Sequence, residues 1–242
     1  MKKLLKPVFI LYQYVIAFPL LWFWTMFVAL TTITFSHWNK ALWLNRFISF
    51  WARTFLWAFF IPVSISGLEN IKKGQSYIFV ANHQSMFDIW TIYGWLPVTF
   101  RWLMKQELRK IPLVGTACKM LGHVFIKRGS AAAARESIKE VEQTLQDGIC
   151  TVIFPEGTRS FTGEVGPFKR GAFLIALDLG LPIVPISLSG CFEVMNRKAH
   201  YVTRHPIHMH IGKPIMPEQF DKDDQQKTIN FIREEVIKNV QK

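Results

Sequence analysis

From residue 7 to residue 36 the chain carries no charged side chain. That run is long enough for a helix across a hydrocarbon core of roughly 30 Å, which takes about 20 apolar residues. It is too long for the core of a signal peptide, and no small-residue cleavage site closes it. A second apolar stretch, residues 41–61, contains Arg46 and Arg53, seven apart and so on one side of a helix, with aromatics around much of the rest. Each arginine would cost about 2.5 to 3.5 kcal/mol at a bilayer centre, so a hairpin dipping into one leaflet is expected rather than a two-span crossing. A segment apolar on every face would need far more protein around it to lie in a soluble core.

From Glu69 onward short apolar, β-branched runs alternate with amphipathic stretches. Strands are expected over 77–81, 98–104, 124–127, 150–154, 183–188 and 208–211. The clearest helix is expected over 130–147, with Ala134, Ile138, Val141 and Leu145 on one face, Ser130 as cap and Gly148 as stop. Residues 170–179 end at Gly180 in the same way. A final amphipathic helix uses Ile229, Ile232, Val236, Ile237 and Val240, with residues 221–227 as its polar approach. This alternation predicts an α/β fold, a largely parallel sheet flanked by helices, with an N-terminal apolar two-helix membrane hairpin. The expected division is 1–66 for the hairpin and 67–242 for one α/β domain, with no internal repeat or low-complexity linker.

Charge sharpens this picture. The formal net charge is +12, and the six basic residues before Glu69 (Lys2, Lys3, Lys6, Lys40, Arg46 and Arg53) face no acidic residue there. A basic, aromatic-rich apolar segment suits an anionic membrane surface, and no nucleic-acid-binding motif appears. If only the first helix crossed, the leading lysines would push the α/β domain outside; either hairpin form keeps it cytoplasmic. The one-leaflet reading fails if a cysteine placed at Asn39 is labelled from the outer face. Cys118, Cys150 and Cys191 are odd in number and far apart, so they are read as reduced core residues.

Two strings carry the chemistry, each directly after a strand candidate. In Asn82-His83-Gln84-Ser85-Met86-Phe87-Asp88, Ser85 and Asp88 have capping-box spacing, which alone explains Asp88. The same cap leaves His83 in the loop, where Asp88 can bond one ring nitrogen and leave the other free to take a proton. Taken alone, this spacing fits a structural histidine better. The second string, Phe154-Pro155-Glu156-Gly157-Thr158-Arg159-Ser160, sets an arginine fork suited to phosphate beside a glycine that lets backbone approach an anion. A mutual ion pair of Glu156 and Arg159 is its structural explanation. A third string, Gly122 to Arg128, ends in further cations, and a fourth, Leu181-Pro182-Ile183-Val184-Pro185, is apolar. Lys169 and Arg170 border the site or start a solvated helix. His205, His208 and His210 are read as surface residues, because Pro206 intervenes and only His208 and His210 share a strand face. No G-x-S-x-G elbow of a serine hydrolase is present.

These four strings, in this order, resemble the glycerolipid acyltransferase family, most closely its 1-acylglycerol-3-phosphate acyltransferase branch. The resemblance covers Asn82 to about Ile186, matches NHxxxxD, GxxFIxR, FPEGTRS and the proline-rich motif, and shows no departure from the pattern. It implies a membrane-bound enzyme that moves an acyl group from acyl-CoA or acyl-carrier protein to the sn-2 hydroxyl of lysophosphatidate, giving phosphatidate. His83 and Asp88 would then be the catalytic pair, and Lys105, Arg128, Glu156, Gly157, Thr158 and Arg159 the substrate-binding residues. An oxyanion donor is expected from a backbone amide at the Ser85 helix start. No metal or cofactor is called for, the acyl donor being a co-substrate. Other acceptors, such as glycerol 3-phosphate, and a non-catalytic lipid-binding protein are the alternatives. The expected location is a bacterial inner membrane with the α/β domain on the cytoplasmic side, monotopic and in contact with membrane lipids.

Overall fold

The computed structural model describes residues 5–36, 41–126, 148–170, 180–221 and 223–241. The helices expected over 130–147 and 170–179 lie outside these residues, apart from Arg170, as do Arg128 and Asn39. Seven strands form one sheet in the order β1-β7-β6-β2-β5-β3-β4: β1 (Val63–Ser66), β2 (Ile78–Ala81), β3 (Phe100–Lys105), β4 (Val124–Ile126), β5 (Cys150–Ile153), β6 (Ile183–Ser189) and β7 (Ile207–Ile211). Strands β6, β2, β5, β3 and β4 run parallel; β7 is antiparallel to β6, and β1 is parallel to β7.

The three central strands β2, β5 and β6 are buried at every position, as continuous apolar runs covered on both faces should be. Strand β7 instead alternates, burying Ile207, Met209 and Ile211. The remaining strands begin or end within two residues of the expected ones. Strand β1 was not anticipated. It moves the start of the sheet domain to Val63, inside the segment assigned to the hairpin, because Val63-Ser64-Ile65-Ser66 pairs with β7 through a register that no local pattern announces. Ser64 and Ser66 bond His208 and His210 across that register, which occupies the two half-buried imidazoles.

Apolar helices cover one face. The first, α1 (Leu5–Phe35), is continuous but includes a π-helical segment, Gln13–Ala17. The second is α2 (Ala41–Ala58). Ring contacts of Phe35 with Trp43, Trp24 with Phe47 and Phe18 with Phe59 run in opposite directions along the two, so they pack antiparallel. Helix α2 also lies against α3 (Phe87–Trp95). There Arg53 Nε donates to Gly94 O at 2.7 Å, and its guanidinium sits 5.3 Å from the Trp95 ring. Arg53 thus meets the negative end of α3, while Arg46, seven residues earlier on the same helix, is exposed. The other face of the sheet is covered by α6 (Gln225–Lys238), through Ile229, Ile232 and Val236. Two short helices, α4 (Val114–Met120) and α5 (Cys191–Val194), complete the described elements used below.

Helix α1 is tied to the sheet domain near both ends. Buried Gln13 donates through Nε2 to Val202 O (2.8 Å) and accepts from Val202 N at Oε1 (2.7 Å). Just past its far end, Ser36 Oγ lies 3.4 Å from Met120 Sδ and shares its one hydrogen between that sulfur and Ile33 O (3.1 Å). Its outer surface, including Leu11, Leu20, Trp22, Phe23 and Phe27, is left exposed.

Candidate active site

Strand β2 delivers the first string to the carboxyl edge of the sheet, where α/β proteins place their sites. Asn82 extends the β2–β6 pairing with its side chain, donating to Leu188 O (2.9 Å) and accepting from Leu188 N (2.7 Å). Helix α3 begins at Phe87, so His83 lies in the loop as expected. Asp88 Oδ2 then accepts from His83 Nδ1 (2.7 Å), Gln84 N (2.6 Å) and Ser85 N (2.8 Å). One carboxylate oxygen therefore holds both the imidazole and the Ser85 amide, although Met86 rather than Ser85 stands at the helix N-cap and no side chain caps it. Since that oxygen accepts, Nδ1 carries the imidazole proton and Nε2 holds the free lone pair. Asp88 is fully buried, and His83 keeps a 15% exposed side chain.

The second string grips the first. His83 N donates to Glu156 Oε1 (2.7 Å), Ser160 N donates to His83 O (2.8 Å), and Gln84 Nε2 donates to Gly163 O (2.6 Å). Glu156 Oε2 accepts from Gly166 N at 2.9 Å. Buried Glu156 is thus a clamp between loops, and the pairing with Arg159 is not formed. Burial pushes its carboxyl up, and the bonds from His83 N and Gly166 N partly offset that. The imidazole lies flat on Phe154, ring centroids 4.0 Å apart at 11°, and Phe154 stacks in turn on Trp102. Neither the clamp nor the ring stack was read from sequence, although Phe154 opens the FPEGTRS string.

The amide of Ser85, expected to stabilise an oxyanion, is spent on Asp88, as is that of Gln84, while that of His83 goes to Glu156. Carboxylates compete successfully for these donors because a charge-assisted bond is the stronger one.

His83 lines a cavity of about 800 Å³ bordered by α1, α2, α3 and α4. Its lining is largely apolar, including Leu21, Val28, Ile48, Phe55 and Ala117, and also takes in Gly157 and two exposed cations, Lys105 at the end of β3 and Lys169. Gly157 takes φ +72°, which ends the tight turn closed by Gly157 N to Phe154 O (3.0 Å). Half-buried Arg159 has no carboxylate within 4.0 Å among the described residues, and Thr158 is exposed beside it. Arg170 turns away to Gln225 (2.8 Å), which separates it from Lys169. The cysteines offer no nucleophile: burial pushes Cys118 and Cys150 up to about 11, and Cys191 well above its usual value. Among the described residues no group of three or more His, Cys, Asp or Glu is placed to hold a metal.

Known proteins resemble this chain in sequence and fold. A family model described as Acyltransferase matches residues 62–189. A chloroplastic 1-acyl-sn-glycerol-3-phosphate acyltransferase of Brassica napus, BAT2, is 35% identical over 71% of this chain and 50% of its own length. The human 1-acyl-sn-glycerol-3-phosphate acyltransferase alpha is 33% identical over 73% of this chain and 63% of its own. The chain therefore spans only about half to two thirds of these relatives. The crystal structure of the 1-acyl-sn-glycerophosphate acyltransferase PlsC from Thermotoga maritima superposes with a TM-score of 0.78 at 29% identity, covering 98% of this chain and 97% of that one. The matched model takes in strand β1, both motif loops and strand β6, and on that ground the chain belongs to the acyltransferase family.

Proposed function

We propose that this chain transfers an acyl group from acyl-CoA or acyl-carrier protein to the free sn-2 hydroxyl of lysophosphatidate, giving phosphatidate. The observation that carries the reading is the free Nε2 of an oriented imidazole lining a largely apolar cavity that Lys105 and Lys169 also line. The named activity of the relatives agrees with it.

In this mechanism His83 Nε2 takes the hydroxyl proton as the oxygen attacks the thioester carbonyl. The tetrahedral intermediate collapses, the carbon–sulfur bond breaks, and the imidazolium returns the proton to the departing thiolate. Such a base is worth about 10²- to 10⁴-fold. Asp88 holds the tautomer and stabilises the transient imidazolium. Lys105, Gly157, Thr158 and Arg159, with Arg128 outside the described residues, hold the acceptor phosphate and so supply positioning. Glu156 contributes through the loop it clamps. An alkyl chain occupies the cavity, whose size is that of ordinary ligand pockets.

The membrane reading follows from α1. A helix attached to the α/β domain near both ends cannot stand across a bilayer while the domain stays in water, so it lies in one leaflet with its exposed aromatic surface in lipid. We assign the domain to the cytoplasmic side of such a membrane. The test is incubation of detergent-purified protein with radiolabelled lysophosphatidate and long-chain acyl-CoA, alongside His83→Ala. Phosphatidate from the wild type that disappears in the variant supports the reading; no product with acyl-CoA or acyl-carrier protein, while a different acceptor is acylated, replaces the acceptor.

A further inference from the structure

The segment after β6 reaches the site without belonging to any of the four motifs. Gly190, at φ +83°, turns the chain into α5, and a compact turn follows in which Lys198 N donates to Asn196 Oδ1 (3.0 Å) and Ala199 N to Asn196 O (3.1 Å). This turn is seated on both motif loops. Ser85 Oγ donates to Met195 O at 2.6 Å, and Arg197 Nη1 donates to Thr158 Oγ1 at 3.2 Å. The Arg197 guanidinium also lies 4.6 Å from the centroid of Phe161, a ring 62% exposed and part of no core cluster. Among the described residues no carboxylate lies within 4.0 Å of Arg197.

We propose that Arg197 binds the acceptor's phosphate next to Thr158 and Arg159, as a further substrate-contacting residue; this rests on the phosphate-bearing acceptor argued above. A guanidinium presents five N–H groups in one plane, and one of them is given to Thr158, so the others remain for phosphate oxygens. The aromatic ring beneath it fixes that plane, which lessens the freedom lost when a two-point contact to phosphate forms. Thr158 gains from the same contact: its oxygen accepts from Arg197, which turns its own hydroxyl hydrogen outward to donate. A merely solvated arginine would bind nothing more, and acceptor kinetics separate the two cases.

The experiment uses the whole chain in detergent and compares Arg197→Ala, Arg197→Gln and Arg197→Lys. The expected result for Ala and Gln is a rise of roughly ten-fold or more in KM for lysophosphatidate, the size of one charge-assisted contact, with KM for acyl-CoA unchanged. Lys recovers part of the loss. Binding of a fluorescent lysophosphatidate should weaken in parallel, while binding of a monoacylglycerol, which lacks the phosphate, should not. An unchanged KM, or equal weakening toward monoacylglycerol, overturns the proposal. Should the Ala variant fail to fold, Gln keeps a donor for Thr158 without the charge and gives the same reading. If the wild type binds lysophosphatidate yet forms no phosphatidate, the reaction assignment fails and the binding shift still decides Arg197. Wild-type binding no tighter than that of monoacylglycerol overturns the phosphate contact itself.

Discussion

Asp88 Oδ2 stands 2.7 Å from His83 Nδ1 and, in the same position, satisfies the backbone amides of Gln84 and Ser85. One buried oxygen therefore orients the His83 ring and closes the turn that presents it, so under the proposed mechanism catalysis and folding are coupled at this residue.

Replacing the two partners should separate these roles. His83→Ala is expected to lower the rate by about 10²- to 10⁴-fold with little change in melting temperature. Asp88→Ala should lower both, because two buried amides lose their acceptor at about 1 to 3 kcal/mol each. Initial rates and thermal unfolding in one detergent check this; an equally stable Asp88→Ala would refute the coupling.

Glu156 gives a different signature. Glu156→Gln keeps an acceptor for one amide and sets an NH₂ against the other, so the loop bearing His83 shifts. The expected outcome is a fall in kcat of about ten-fold or more, as for a small misplacement of a reacting group, with acceptor KM nearly unchanged. A rise in KM at constant kcat would return Glu156 to direct contact with the acceptor.

The cavity wall should set chain length. Ala117, buried on α4, borders the cavity, and Ala117→Phe would fill part of it at a folding cost of about 1 to 3 kcal/mol. Competition among acyl donors of different lengths should then shift toward shorter chains. An unaltered profile would place the alkyl chain elsewhere.

Acid stability should report His123. Its Nδ1 accepts from Trp102 N (3.2 Å), its Nε2 meets the Tyr93 hydroxyl (2.5 Å), and burial, with the charge of Arg101, holds it down to about 3. The unfolded chain takes up this proton near pH 6.5, so stability is complete above that value and is lost as pH falls toward 3, at up to roughly 1.4 kcal/mol per unit. Unfolding midpoints from pH 7 to 4 should therefore fall less steeply in His123→Gln than in the wild type.

Much of this architecture was legible because it depends on local pattern. Buried parallel strands read as unbroken apolar runs, and 78–81, 150–153 and 183–189 are all buried as such runs demand. The loop position of His83 followed from a helix start expected at Ser85, and the helix begins two residues later, at Phe87. What escaped depends on partners distant in the chain. Strand β1 has four residues and no identity apart from β7. Glu156 looked like a partner for Arg159, three residues on, but found its donors at His83 and Gly166. Gln13 bonds Val202 across a separation that no local pattern announces. Arg197 belongs to no motif, and only the fold brings it over Phe161.

The double attachment of α1 has a kinetic consequence. On the proposed one-leaflet placement, a domain strapped along α1 neither tumbles nor changes height over the lipid, so its search for the proposed acceptor runs in two dimensions. Saturation by lysophosphatidate then follows its mole fraction in the surface rather than its bulk concentration. Diluting vesicles at fixed composition should leave the rate per bound enzyme constant, whereas diluting the acceptor with inert phospholipid should lower it.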